Sequence, residues 1–254
     1  MDKLVVNTQQ DKLIITINRP EKRNALTSEI YQAMADALNS VDSDSPIKVV
    51  LLQAEGEHFT AGNDLSQFAS ISDKSQLQST INFMYALMDC PVPVVAKVQG
   101  LAVGIGTTLL MHCDFVYASD TAKFSLPFVN LGLVPEYASS LILPKLVGHA
   151  KAAEWLMLGE PFGAEEALNA GLANKVCGSE ELSVDVDILL NKLSGKPRLS
   201  LTATKGLMKK DLESIKLAME NELVLFFRHL QSVAAKEAFA AFLEKRKPDP
   251  EKYK

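Results

Sequence analysis

The chain has 254 residues, 47% of them hydrophobic and 22% charged, a composition that suits one large globular domain with or without an appendage. Its net charge of -5 provides no basic field for nucleic acid or an anionic membrane, so neither is expected as a partner. Cys90, Cys113 and Cys177 are too few and too scattered for a disulfide framework or a CxxC metal site, which points to a reducing, cytoplasmic setting. The opening MDKLVVNTQQDKL lacks the basic and apolar blocks of a signal peptide. No apolar run reaches the ~18 residues of a membrane span, and the closing EKYK does not read as a peroxisomal address.

Residues 12–18 (KLIITIN) alternate polar and apolar and predict a half-buried strand that ends at Arg19-Pro20. Ile30, Met34, Ala37, Leu38 and Val41 then recur at helical spacing, with Thr27 placed to cap the helix. Residues 48–53 (KVVLLQ) and 92–98 (VPVVAKV) are continuous apolar runs of strand length, as in strands buried on both faces of a helix-covered sheet. Between them, 76–88 predicts a helix through Leu77, Ile81, Tyr85 and Met88, so the order implies βαβ units. After Gly100 the chain turns through Gly104 and Gly106 into a helix expected to begin near Thr107, followed by strands at 115–118 and 123–127. From about residue 139 the pattern is almost wholly helical: 150–158, 164–170, 180–193, 201–210 and 213–246 all favour helix. The layout predicts an α/β core over residues 1–195 and a helical region over 196–254.

The histidines His58, His112, His149 and His229 are dispersed and give no zinc-ligand spacing, so no metal is expected. There is no GxSxG, and Gly104-Ile105-Gly106 fails as a dinucleotide fingerprint because Leu109 stands where the third glycine belongs. Two glycine-bearing turns, 58–65 and 100–106, follow the C-terminal ends of predicted buried strands, the edge where α/β sheets place ligands. Side by side they would present two backbone N–H donors to one developing negative oxygen. On pattern alone the plainer account is favoured: ordinary βα turns, with Asp64 capping a helix. Likewise Pro135-Glu136 reads as a helix start, with proline in the first turn and an acid complementing the macrodipole. Phe226 and Phe227 read as core, and Lys245, Arg246 and Lys247 as a solvated helix end.

Taken in order, these segments resemble the crotonase (enoyl-CoA hydratase/isomerase) superfamily. Asn18-Arg-Pro-Glu-Lys-Arg-Asn-Ala-Leu26 is similar to its NRP…NAL opening, and Phe59-Thr-Ala-Gly-Asn-Asp-Leu65 to its F-x-AG-x-DL loop. Gln99-Gly-Leu-Ala-Val-Gly-Ile-Gly106 resembles its NG-x-A-x-G-G-G turn, with Gln for Asn and Ile for the middle Gly. Residues 124–132, Gly171-Leu172-Ala173 with Val176, and 241–247 extend the match over nearly the whole chain. The resemblance implies a ββα spiral core with a C-terminal helical region that serves trimerisation and covers the coenzyme A. It implies an acyl-CoA thioester substrate, no separate cofactor, and a homotrimer or hexamer.

Carried over residue by residue, the resemblance assigns the oxyanion-binding N–H groups to Asn63 and Ile105. Ala25, Ala61, Gly62, Asp64, Leu65, Gly104, Phe128, Leu131, Pro135, Phe226 and Lys245 would contact the acyl-CoA. The two glutamates of the family's hydratases fall at Thr108 and Phe128, so both are missing. Glu136 instead stands where the Δ3,Δ2-enoyl-CoA isomerases carry their single base, within LGLVPEYASS, which is similar to their LG-x-x-PE-x-x-SS. Asp at that position in the chlorobenzoyl-CoA dehalogenases shows that a carboxylate here can also act as a nucleophile. Double-bond isomerisation is therefore expected. A hydratase using one acid, a ring-modifying isomerase, a dehalogenase-like enzyme and, further off, a silent acyl-CoA-binding protein are the alternatives.

Overall fold

The computed structural model describes residues 2–253; Met1 and Lys254, the outermost residues of the two terminal segments considered above, lie outside them. The chain opens with β1 (Leu4–Gln9) and β2 (Lys12–Ile17), an antiparallel hairpin in which Val6 pairs with Ile15. Next comes α1 (Ser28–Asn39), where the Thr27 hydroxyl accepts the Ile30 N–H as foreseen and Ile30, Tyr31, Met34 and Leu38 are buried. Then follow β3 (Val49–Ala54), the short α2 (Leu65–Phe68), α3 (Gln78–Asp89), β4 (Val94–Val98) and β5 (Leu101–Val103). The short α4 (Ile105–Thr108) starts two residues before the expected Thr107, because the turn spends only Gly104 between strand and helix. After β6 (Phe115–Ser119) and β7 (Lys123–Ser125) come α5 (Ser139–Val147), α6 (His149–Ala153), β8 (Phe162–Gly163), α7 (Ala164–Asn169) and β9 (Lys175–Cys177). Four α-helices follow, α8 (Leu182–Ser194), α9 (Arg198–Met208), α10 (Leu212–Leu230) and α11 (Val233–Leu243), and then a 3-10 turn over Pro250–Tyr253. The expected helical run 213–246 is thus broken at Gln231-Ser232, where the Ser232 hydroxyl accepts the Ala235 N–H and starts a new helix.

Six strands form one sheet in the order β1-β2-β3-β4-β6-β9, parallel from β2 onward, and β5-β7-β8 form a smaller second sheet. Strands buried on both faces were predicted from their unbroken apolar runs, and the two faces belong to separate cores. Ile15, Val50, Leu52, Val94 and Ala96 pack into the main core with α1 and α3. Val49, Leu51 and Val95 point the other way, onto Leu182, Val186, Leu189 and Leu193 of α8. Met219, Phe226 and Leu230 of α10 and Ala235 and Phe239 of α11 join the main core, so the C-terminal helices share the apolar interior of the rest. The architecture is a mixed α/β fold with a helical C-terminal region.

Candidate active site

The opening motif explains itself through Asn24. Its side chain accepts the Arg19 N–H at 2.8 Å and donates to the carbonyls of Glu55 and His58, while its own carbonyl accepts the Thr60 hydroxyl at 2.7 Å. That knot ties the segment before α1 to the loop after β3. Arg19 adds an ion pair with Asp64 at 2.6 Å and a bond to the Ala25 carbonyl. Asp64 also caps α2 by accepting the Ser66 N–H at 3.1 Å, the role its sequence position suggested. Burial raises the Asp64 pKa, but the bonds from Ser66 and Arg19 outweigh it and leave the carboxyl below its ordinary value.

The two glycine turns are stitched together by backbone. Thr60 N–H donates to Leu101 O at 2.9 Å and Val103 N–H to Thr60 O at 3.1 Å, while Leu26 N–H donates to Gly62 O and Asp64 N–H to Leu26 O. Gly62 has φ +84°, and a Cβ there would lie 2.6 Å from the Val103 carbonyl oxygen, so the close approach of the turns needs glycine. Neither Asn63 N–H nor Ile105 N–H has a hydrogen-bond partner among the described residues. Both residues line one cavity of about 240 Å³ with Ala61, Gly62, Leu65 and Gly104. Unpaired N–H donors on two residues that line one cavity are the groups a developing oxyanion requires. The Ile105 side chain, the departure from the family pattern, is buried in the main core.

Phe128, Leu131 and Phe226 line the same cavity, as does Phe242, which the sequence reading passed over. Phe68, also unforeseen, stands edge-on to Phe226 with ring centres 5.9 Å apart. Phe68, Phe226 and Asn63 form the partition shared with a small recess of about 10 Å³, and Glu136 lines that recess with Thr80, Met84 and Leu223. Four of the assigned contact residues are not brought to either space. Ala25 is half-buried beside Arg19, Pro135 only precedes Glu136, and Lys245 is exposed beyond the end of α11, in left-handed backbone. Asp64 lies round the corner in a polar cleft with Tyr31, Asn63 and Gln67.

Glu136 does not begin a helix. Tyr137 (φ 61°) and Ala138 (φ 58°) follow it in the left-handed region, and α5 starts only at Ser139. Two such non-glycine residues in a row cost roughly 1–3 kcal/mol each and persist only where the surroundings impose them. Here the Tyr137 hydroxyl donates to Met84 O at 2.8 Å, and the ring stacks on His112 at 3.9 Å. His112 Nε2 bonds the Tyr137 carbonyl, and burial pushes the imidazole down to about 3, so it is neutral and donates. The contorted turn delivers the Glu136 carboxyl, 3% exposed, into the recess. Burial raises its pKa to about 8; the Thr108 hydroxyl, donating to Oε1 at 2.5 Å, opposes the shift, and nearby Glu222 adds to it. A carboxyl so tuned takes up and releases protons near neutral pH. Nearby, the Tyr31 hydroxyl donates to Asn63 Oδ1 at 2.6 Å and anchors that side chain. Among the described residues no cluster of three or more His, Cys, Asp or Glu could hold a metal ion, and no helix is long and apolar enough to cross a membrane.

The fold, the paired turns and the buried carboxyl define a crotonase-type protein, and comparison with known proteins gives its place. The family model described as enoyl-CoA hydratase/isomerase matches residues 7–252. The chain is 39% identical over 214 residues to "Enoyl-CoA delta isomerase 2" of Rattus norvegicus, covering 82% of this chain and 54% of that protein, about half its length. It is 32% identical over 254 residues to "Probable enoyl-CoA hydratase" of Bacillus subtilis, covering 98% of each. The solved enoyl-CoA hydratase/isomerase of Pseudoalteromonas atlantica superposes with a TM-score of 0.93 at 41% identity, over 98% of this chain and 99% of that one. The chain belongs to the enoyl-CoA hydratase/isomerase family of the crotonase superfamily.

Proposed function

We propose that this enzyme isomerises 3-enoyl-CoA thioesters to 2-enoyl-CoA, with Glu136 as its single acid–base group. In a 3-enoyl thioester the C2 protons are acidified by both the carbonyl and the double bond. The Glu136 carboxylate takes one C2 proton, and the released electron pair delocalises through C1 to the thioester oxygen and through C3 to C4. The N–H groups of Asn63 and Ile105 stabilise the charged oxygen; each such donor typically contributes ~3 kcal/mol. The Glu136 carboxylic acid returns the proton to C4, the C2–C3 double bond forms, and the carboxylate is regenerated. Ala61, Gly62, Leu65, Gly104, Phe128, Leu131 and Phe226 hold the thioester in the cavity. Ala25, Asp64 and Lys245 are assigned to the coenzyme A outside it.

The observation that carries this choice is the Thr108–Glu136 pair. At the two positions where the family's hydratases place carboxylates, this chain has a hydroxyl bonded to Glu136 and the apolar ring of Phe128, 5% exposed. One buried acid can shuttle a proton between two carbons; positioning and splitting a water normally uses two acid–base groups. The test offers 3-enoyl-, 2-enoyl- and aryl-CoA thioesters and follows the conjugated enoyl thioester. Its appearance from the 3-enoyl substrate, faster than its loss to water, supports the reading. Faster hydration identifies a hydratase, and turnover of the aryl thioester alone identifies a ring-modifying or dehalogenase-like enzyme.

The same reading assigns a homotrimer or dimer of trimers. Leu199, Leu207 and Met208 on α9 and Leu217 and Val224 on α10 are exposed, Leu199 by 81%. Large apolar side chains exposed at this density suit a subunit contact better than water.

A further inference from the structure

A second carboxylate, Glu222 on α10, is buried beside the site and takes no part in the proton transfer. Its Oε2 accepts the Ala138 N–H at 2.6 Å and its Oε1 the Ser140 N–H at 2.9 Å, and the Ser140 hydroxyl donates to Oε1 as well. These donors belong to the turn that carries Glu136. The N-cap residue of α5, Ala138, has no side-chain acceptor; Ser139 N–H reaches the Glu136 carbonyl and Leu141 N–H the Ala138 carbonyl, which leaves the Ser140 N–H of the first turn to Glu222. Glu222 supplies, from more than eighty residues away, the acceptors that a local Ser or Asp cap would provide. Two of the partners are backbone N–H donors and the third is a hydroxyl; their bonds favour the ionised carboxylate, while burial, the larger effect, raises the Glu222 pKa.

We propose that Glu222 is a positioning residue for Glu136: as an ionised cap on α5 it holds the left-handed Tyr137-Ala138 turn and places a like charge beside the Glu136 carboxyl. The proposal deepens the isomerase reading and rests on its assignment of Glu136 as the acid–base group. Two effects follow. The clamp fixes where the Glu136 carboxyl sits, since the backbone between Glu136 and Ser140 has no freedom while both N–H groups are held. The charge makes Glu136 hold its proton more strongly, adding to the larger effect of burial. The other groups that interact with Glu136 are the Thr108 hydroxyl from α4, Tyr31 from α1 and Tyr137 from its own turn, none of them cationic. Glu222 is thus the carboxylate that adds to the effect of burial on Glu136.

The test compares wild type, Glu222→Gln and Glu222→Asp, with folding checked by thermal unfolding. The proton on Glu136 is followed directly by ¹³C NMR of the carboxyl carbons in the substrate-free enzyme, assigned with Glu136→Gln. In Glu222→Gln the Glu136 titration should move down by roughly 0.5–1 in pH as the like charge disappears. Its kcat should fall about 10–100-fold while KM changes little, because the carboxyl is misplaced rather than the thioester site. Glu222→Asp keeps the charge but is one methylene shorter, so its titration should stay near wild type while kcat falls. A folded Glu222→Gln enzyme with unchanged Glu136 titration and normal kcat overturns the proposal. Where Glu222→Gln does not fold, the Asp variant decides: normal kcat overturns the proposal and reduced kcat with an unmoved titration supports it. Absence of isomerisation in wild type would refute the functional reading alone, because the titration still reports whether Glu222 acts on Glu136.

Discussion

Glu136→Gln separates stability from activity, and the pH dependence of the separation measures how the site is built. Among the described residues no cation acts on the buried carboxyl, and its pKa is raised from 4.5 to about 8. In the unfolded chain the same group ionises through about 4.5, so between these values the unfolded state releases a proton that the folded state retains. Glu136 therefore contributes most to stability below pH 4.5, and that contribution is lost progressively as pH rises towards 8, where the folded protein must bury a charge. At 1.36 kcal/mol per pH unit, the gap of 3.5 from 4.5 to 8 amounts to about 5 kcal/mol as an upper bound. Glutamine fills the same space, does not titrate, and can keep a hydrogen bond with the Thr108 hydroxyl. Thermal unfolding from pH 4 to 9 should show Glu136→Gln close to wild type at the acid end and more stable by on the order of 10 °C above pH 8. Binding of the thioester should persist while turnover falls by ~10²–10⁴-fold. A Tm difference that is flat with pH would refute the reasoning, because it would mean that Glu136 does not retain its proton through the neutral range. Near-normal turnover would remove it as the base.

The same tuning predicts that kcat/KM for isomerisation rises about tenfold per pH unit on the acid side and levels off near pH 8, as the base loses its proton. Thr108→Val removes the donor that favours the ionised form, so the limb in a pH–rate profile should move to higher pH; a shift the other way contradicts the Thr108–Glu136 bond. Asn63→Pro deletes the free N–H and should be severely impaired, whereas Asn63→Ala should keep most activity, with Tyr31→Phe as the control for the lost side-chain bond. Equal losses in the Ala and Pro variants, at matched thioester affinity, would mean that the side chain carries the effect. Light scattering should find an oligomer at micromolar concentration, and Leu207→Glu on the exposed face of α9 should weaken it; a fully active monomer sinks the assembly reading.

The sequence disclosed β3 and β4 because their apolar runs are long, β2 because it alternates, and α1 because a capping Thr27 coincides with a clean apolar stripe. It did not disclose β1, β5, β8 or β9. Residues 4–9 become six mostly exposed or half-buried positions at a sheet edge, and the other three strands are two or three residues long, too short to carry a period. Pro135-Glu136 carried a valid helix-start signal that tertiary contacts override: Met84, His112 and Glu222 hold the next two residues left-handed, and the helix waits until Ser139. Nothing local marks Glu222 as a cap, since its partners lie in a different third of the chain. The aromatic partition of Phe68 and Phe226 was equally hidden, because each ring alone reads as ordinary core.

The covering of the large sheet by α8 has a consequence for how the chain is made. Four of the five pairings in that sheet are parallel, so each must close across an intervening crossover rather than through a tight hairpin. During synthesis, β2, β3 and β4 can pair and collect α1 and α3 on one side once about residue 98 is available. Their other side, with Val49, Leu51 and Val95, stays bare until α8 is complete at Ser194. At ~5–20 residues per second, the nascent chain carries an uncovered apolar strip for several seconds, the interval in which a chaperone or a neighbouring chain would bind it.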